Sequence, residues 1–164
     1  MQINGLIQTL PKELKILIGA FVIVLSVGFY TGLLFVGETS SAKPSGIEQQ
    51  YLGNEDDENA EVMHFKKSDQ EMLTLVHNHI LSMALIFFLV GGLVSITRLN
   101  KKLKRFLIFE PFVSVITTFG GLYLLWTGIT WMTYIVMISG MLMTLSFVAA
   151  TFIIFVQLFQ KPGN

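Results

Sequence analysis

The chain has 164 residues, 52% of them hydrophobic and 13% charged, with a mean hydropathy of +0.65, well above that of a soluble domain. Eleven basic and eleven acidic residues cancel, so no nucleic-acid partner is implied. The absence of cysteine excludes disulfides, thiolate metal ligands and covalent c-type haem attachment.

Four apolar runs, roughly 14–36, 72–97, 112–130 and 132–157, reach or approach the about 20 residues that cross about 30 Å of hydrocarbon. None alternates with period 2, which argues against a barrel, and backbone polar groups in lipid then require helices. The expected fold class is all-α: a single integral membrane four-helix bundle over residues 1–164, running up-down-up-down. Its helices are predicted at about 12–37, 69–97, 111–130 and 132–158.

Taken in order, Pro11 sits near the start of the first helix, where its missing N–H does no harm. Ser40-Ser41-Ala42 resembles a signal-peptidase site, but the preceding apolar run is too long for a usual signal peptide, so the helix reads as an anchor. Residues 38–68 follow as an outer loop of about 30 residues, with 37–59 polar, rich in Gly, Ser and acid, and expected to be irregular. Its acidic stretch from Asn54 to Glu61 fails as an EF-hand loop, because Asn59 stands where the turn glycine belongs and the twelfth residue is Phe65. A solvated acidic loop that could dock a basic partner is the better reading.

Ser68-x-x-Glu71 has the spacing of a capping box and starts the second helix near Asp69. A basic loop, 98–110, comes next, and its mixture of basic and apolar residues suits an anionic lipid surface. Glu110-Pro111 is expected to open the third helix; intramembrane carboxylates serve proton relays, but Glu110, about five residues from Arg105, reads rather as a salt bridge to the basic loop or a helix-start residue. Thr117-x-x-x-Gly121 and Gly140-x-x-x-Thr144 are small-residue spacings that allow close helix approach. A short turn at Thr130-Trp131 joins the last two helices.

Charge asymmetry sets the expected orientation. Lys12, Lys15, Arg98, Lys101, Lys102, Lys104, Arg105 and Lys161 flank one side, whereas Glu38–Glu71 holds nine of the eleven acids against Lys43, Lys66 and Lys67. Cytoplasmic loops collect Lys and Arg, so both termini are expected inside and the acidic segment outside.

The chemistry concentrates in His77-Asn78-His79, close to the outer hydrocarbon boundary, where an imidazole is costly and marks a candidate functional site. At about 100° per residue the two rings point about 200° apart, so a regular helix cannot offer both to one metal ion. Glu71, Thr74, Asn78 and Ser82 form a polar stripe between them. One reading is axial ligation of haem b, with His64, a second copy's histidine, Met137 or Met141 as the other ligand. A copper reading uses Met63, His64, His77, His79, Met83, Met137 and Met141, since thioether and imidazole suit Cu(I). The Met137-x-x-x-Met141 spacing resembles a motif of high-affinity copper transporters, whose helix count differs. The plainer reading, which is favoured, makes the histidines amphipathic interface residues and the methionines packing.

The stretch Gly46–Glu55, followed by Lys67-Ser68-x-x-Glu71-Met72-Leu73-Thr74 and His77-x-His79-Ile80-Leu81-Ser82-Met83, resembles a group of small, poorly characterised bacterial four-helix inner-membrane proteins with such an outer loop and an H-x-H helix. The resemblance implies a bacterial inner membrane and no particular activity. No nucleophile elbow, H-E-x-x-H, Walker loop or dinucleotide fingerprint is present. The expectation is therefore a non-catalytic accessory subunit of a larger respiratory or redox membrane complex, bound to lipid and to other subunits or to itself. The alternative is a haem b- or copper-binding protein that carries electrons or metal.

Overall fold

The computed structural model describes residues 4–55 and 62–161. Among them the chain is all-helical, with α1 (Lys12–Ser40), α2 (Pro44–Leu52), α3 (Asp69–Ser95), α4 (Lys101–Trp126) and α5 (Met132–Phe159), preceded by a 3-10 turn at Leu6–Thr9. Four of these, α1, α3, α4 and α5, are long and apolar enough to cross a membrane.

Two stretches expected to be loop are helix. The first is Pro44–Leu52, inside the supposedly irregular segment. Pro44 occupies its first turn, where the fixed φ favours a helix and the missing N–H is no loss. Ile47 then buries in the bundle core, with Tyr51 and Leu52 packed beside it, and this tertiary contact outweighs a weak apolar pattern. The second is the basic loop. Asn100 caps α4 by accepting the Leu103 N–H at 2.9 Å, so the helix begins at Lys101 and only residues 96–100 link it to α3. Pro111 therefore lies inside the helix rather than at its start. Leu107, Pro111 and Ser114 are buried on one face, and that packing carries the helix through the lost i→i−4 bond. At the other end α4 stops at Trp126, four residues early, and Gly128 turns the chain at φ 104°. The acidic stretch 56–61 lies outside the described residues.

The α4–α5 pair is an antiparallel hairpin with a close approach at Gly121, where an added Cβ would come within 2.9 Å of Val136 Cγ2. The Thr118 and Ser139 hydroxyls meet at 2.7 Å one turn deeper. Gly140 makes no comparable approach: nothing lies within 4 Å of its Cβ position, and the Thr144 hydroxyl donates back to the Gly140 carbonyl. Helix α3 packs along α4. Helix α1 is peripheral, touching the bundle through buried Val22 and through Phe29, which stacks on Phe147 at 4.0 Å. Residues 30–38 of α1 are exposed on every side.

The two ends are closed differently. At the α2 end, Gly46 lies so near the Ser40 carbonyl that a Cβ there would clash, which lets α2 fold back over the bundle. The Trp126 indole N–H donates to the Lys67 carbonyl at 2.8 Å, and the Lys67 N–H donates to the Tyr51 carbonyl at 3.3 Å. At the basic end, Lys104 Nζ donates to the Ser95 and Thr97 carbonyls at 2.9 and 2.7 Å and to Asn4 Oδ1 at 2.9 Å, satisfying the exposed end of α3. Ile7 donates to the Ile96 carbonyl, and Gln8 Nε2 to Gln160 Oε1, so both terminal segments meet there.

Two outcomes follow from this packing. Gly121→Val should lower stability by about 1–3 kcal/mol in detergent thermal unfolding, since β-branched Val136 cannot swing aside, and Val136→Ala should recover much of the loss. Burial pushes the Tyr51 phenol above its ordinary value. The stability tied to that group is complete below the unfolded value of about 10 and is lost as pH rises through the folded value. Alkaline titration should therefore loosen the α2 end, read in Trp126 emission with Trp131→Phe as background, and Tyr51→Phe should abolish that step.

Candidate functional site

The α2-end half of α3 carries most of the candidate residues. Its start is built as the spacing predicts: the Ser68 side chain accepts the Glu71 N–H at 3.3 Å, while Glu71 Oε2 accepts the Ser68 N–H and hydroxyl at 2.8 Å. From this cap the helix runs regularly, so the polar stripe stays on one side. Thr74, His77, Asn78 and Ser82 are all exposed, and Leu73, Thr74, His77 and Asn78 line a shallow open depression. The Ser82 hydroxyl donates to the Asn78 carbonyl at 2.6 Å. Glu71 is engaged in the cap and is not available to the stripe.

His79 lies on another face of α3, turned toward α4. Its ring stacks at a tilt of 30° on Phe119, with centroids 4.7 Å apart. His79 Nδ1 is 2.8 Å from the Leu75 carbonyl. A carbonyl only accepts, so Nδ1–H is the donor and the ring is held in one orientation. Metal-ligating histidines are commonly oriented by such a bond from the other ring nitrogen.

His64 lies in the α2-end connection, held through its backbone. Its N–H donates to Asn54 Oδ1 at 2.6 Å, and its carbonyl accepts the Asn54 N–H at 2.9 Å. Gly53, at φ 83°, makes this possible, because a Cβ there would fall 2.7 Å from the Lys66 nitrogen. The methionines are split: Met83 and Met137 pack against the core, whereas Met141 is 57% exposed. Among the described residues no three His, Cys, Asp or Glu side chains gather around a metal-sized space. The three histidines thus do not form a metal-holding cluster among the described residues.

A different polar feature runs along the α4–α5 interface. Ser114, Thr118, Ser139, Ser146 and Thr133 are buried, and the Thr133 hydroxyl donates to Glu48 Oε1 at 2.9 Å. At the deep end of this line the Ser114 hydroxyl donates to Glu110 Oε1, while Glu110 Oε2 is buried with no hydrogen-bond partner among the described residues. The expected pairing of Glu110 with Arg105 is not formed. With α4 starting at Lys101, Glu110 is a mid-helix residue five positions past Arg105, and positions five apart do not share a helix face. The signal available in the sequence was its isolation: it is the only Asp, Glu, Lys or Arg in residues 106–160.

No curated protein and no solved structure matches the chain. A family profile described as a transmembrane helical domain, Aq_1264_TM, matches residues 41–164 and so takes in α2, α3, α4 and α5. With four apolar helices long enough to span a bilayer, the chain is a multi-pass membrane protein and belongs to this family of transmembrane helical domains.

Proposed function

We propose that the protein is a non-catalytic accessory subunit of a larger bacterial inner-membrane complex of respiratory or redox type, and that it docks another transmembrane helix on the exposed polar face of α3. The observation that carries this reading is the uncovered stripe Thr74, His77, Asn78 and Ser82. Polar side chains at membrane depth face protein or water rather than lipid tails, and none of this chain's described helices covers them. Helix α1 supplies a second uncovered feature: Gly28 and Gly32, four residues apart, have nothing within 4 Å of their Cβ positions, a spacing that suits close helix–helix contact. By the positive-inside rule the end carrying Lys101, Lys102, Lys104 and Arg105 faces the cytoplasm, with both termini on that side.

The His79 geometry favours a second reading, in which the Nε2 lone pair ligates haem b or copper at a site completed by another subunit or a second copy. The two readings give different preparations. An accessory subunit purifies colourless and metal-free, whereas a cofactor protein shows a reducible Soret band or stoichiometric copper that His79→Ala abolishes.

The natural absence of cysteine makes the docking test clean. Single cysteines at Thr74 or Asn78 should crosslink in native membranes to a discrete partner, and Asn78→Leu should weaken co-purification of that partner by about tenfold, the loss of one or two buried hydrogen bonds. Cysteines at Val113 or Phe152, on exposed apolar faces of α4 and α5, should give no such product. Failure of the Thr74 and Asn78 positions to crosslink at all would overturn the docking reading.

A further inference from the structure

We propose that Glu110 is a proton-binding site inside the membrane-spanning part of α4, loaded from the basic end of the bundle. Its depth follows from the helix. Counting about 20 residues back from the aromatic end at Trp126 puts the other hydrocarbon boundary near Phe106, so Glu110 lies about one turn within the apolar slab. It is about 7 Å along the axis from Arg105.

Among the described residues no counter-charge is paired with Glu110. The helical neighbours of Glu110 at three and four residues are Phe106, Leu107, Val113 and Ser114, and only Ser114 is polar. The elements packed on α4 add none: α3 has no charged side chain between Glu71 and Arg98, α5 has none, and α1 has none between Lys15 and Glu38. His77 and His79 belong to the opposite end of α3, three turns and more from Gly91, which meets Ile108 of α4. At the basic end, Lys104 is committed to the Ser95 and Thr97 carbonyls.

The polar atoms that are present suit a proton. Ser114 satisfies one carboxyl oxygen by donation, and the other is buried and bare. A carboxylate there would leave that oxygen without any solvating donor. Adding a proton removes the charge and turns the bare oxygen into a donor. An acceptor lies one helical turn away: Pro111 has no N–H, so the Leu107 carbonyl lacks its usual helical partner. The Ser114 hydroxyl holds one carboxyl oxygen, and the proline-freed carbonyl offers an acceptor on the same stretch of helix. The reaction is simple uptake, with a proton from water at the basic end converting the carboxylate to the neutral acid, and release reversing it.

The test is infrared difference spectroscopy on the full-length protein in lipid vesicles, stepping the pH. The wild type should gain, on acidification, the carbonyl stretch of a protonated carboxylic acid in an apolar setting. Glu110→Gln should lose that band, and Glu110→Asp should keep it shifted. Ser114→Ala should also shift the band, since it removes the donor to Oε1, and this holds the proposal to account if Glu110→Gln fails to fold. Identical difference spectra in wild type and Glu110→Gln, or a band indifferent to Ser114→Ala, would overturn the assignment. A band that responds to sodium at constant pH would also overturn it, assigning the carboxyl to a metal cation.

Discussion

The close approach of α4 to α5 is the constraint on which the rest of the molecule depends. Lipid tails are as apolar as leucine side chains, so spanning helices associate through close packing and interhelical hydrogen bonds rather than through water exclusion. This chain concentrates both at one place. Gly121 lets the backbones draw together against Val136, and the Thr118 and Ser139 hydroxyls meet a turn below. The aromatic and aliphatic core then gathers around that seam, with Phe119, Leu122, Leu125, Met143 and Phe147 closing over it. Helix α3 joins by laying Phe87 and the His79 ring against the same surface. Helix α1 touches α5 at Gly19, beside Leu158 and Phe159, but Gly28, Gly32 and Gly37 face open space, and the helix stays at the edge.

Buried polar groups are handled by two distinct strategies. Most hydroxyls in the spans return their proton to a carbonyl three or four residues back, as Thr151 does to Phe147 and Thr117 to Val113, which satisfies them without a partner helix. A few cross between elements, and these bind helices together: Thr118 with Ser139, and Thr133 with Glu48. Glu110 follows neither strategy. One of its oxygens is satisfied within its own helix and the other is left bare, next to a proline that removes a backbone donor. Buried polar atoms are nearly always paired, so an unpaired one in a spanning helix is a departure that function explains better than packing does.

The α2-end half of α3 poses the opposite problem, with polar groups facing outward rather than inward. Asn78 and Thr74 add nothing to the internal packing, and His77 and His79 diverge around the helix because two residues turn it through about 200°. A site on this face would have to be completed from outside the chain. The neighbouring connection is comparatively well tied, by Asn54 to the 62–64 backbone and by Trp126 to Lys67. A polar face beside a firm rim suits docking.

What could be read from the amino-acid order alone is what depends on local or additive physics. Apolar run length indicated four spans, because the cost of exposing backbone to lipid leaves little choice. The Ser68/Glu71 cap was legible because both partners lie within one turn, and the divergence of the two imidazoles because it follows from helical pitch. The features that only tertiary structure decided rest on contacts between distant segments. Helix α2 forms where Ile47 finds the core, against a weak local pattern. Helix α4 starts ten residues before Pro111 because its buried face compensates for one missing hydrogen bond. That early start in turn makes Glu110 a mid-helix carboxyl rather than a loop acid near Arg105. Its solvation depends on which helices surround it, and no local pattern in a single sequence encodes that.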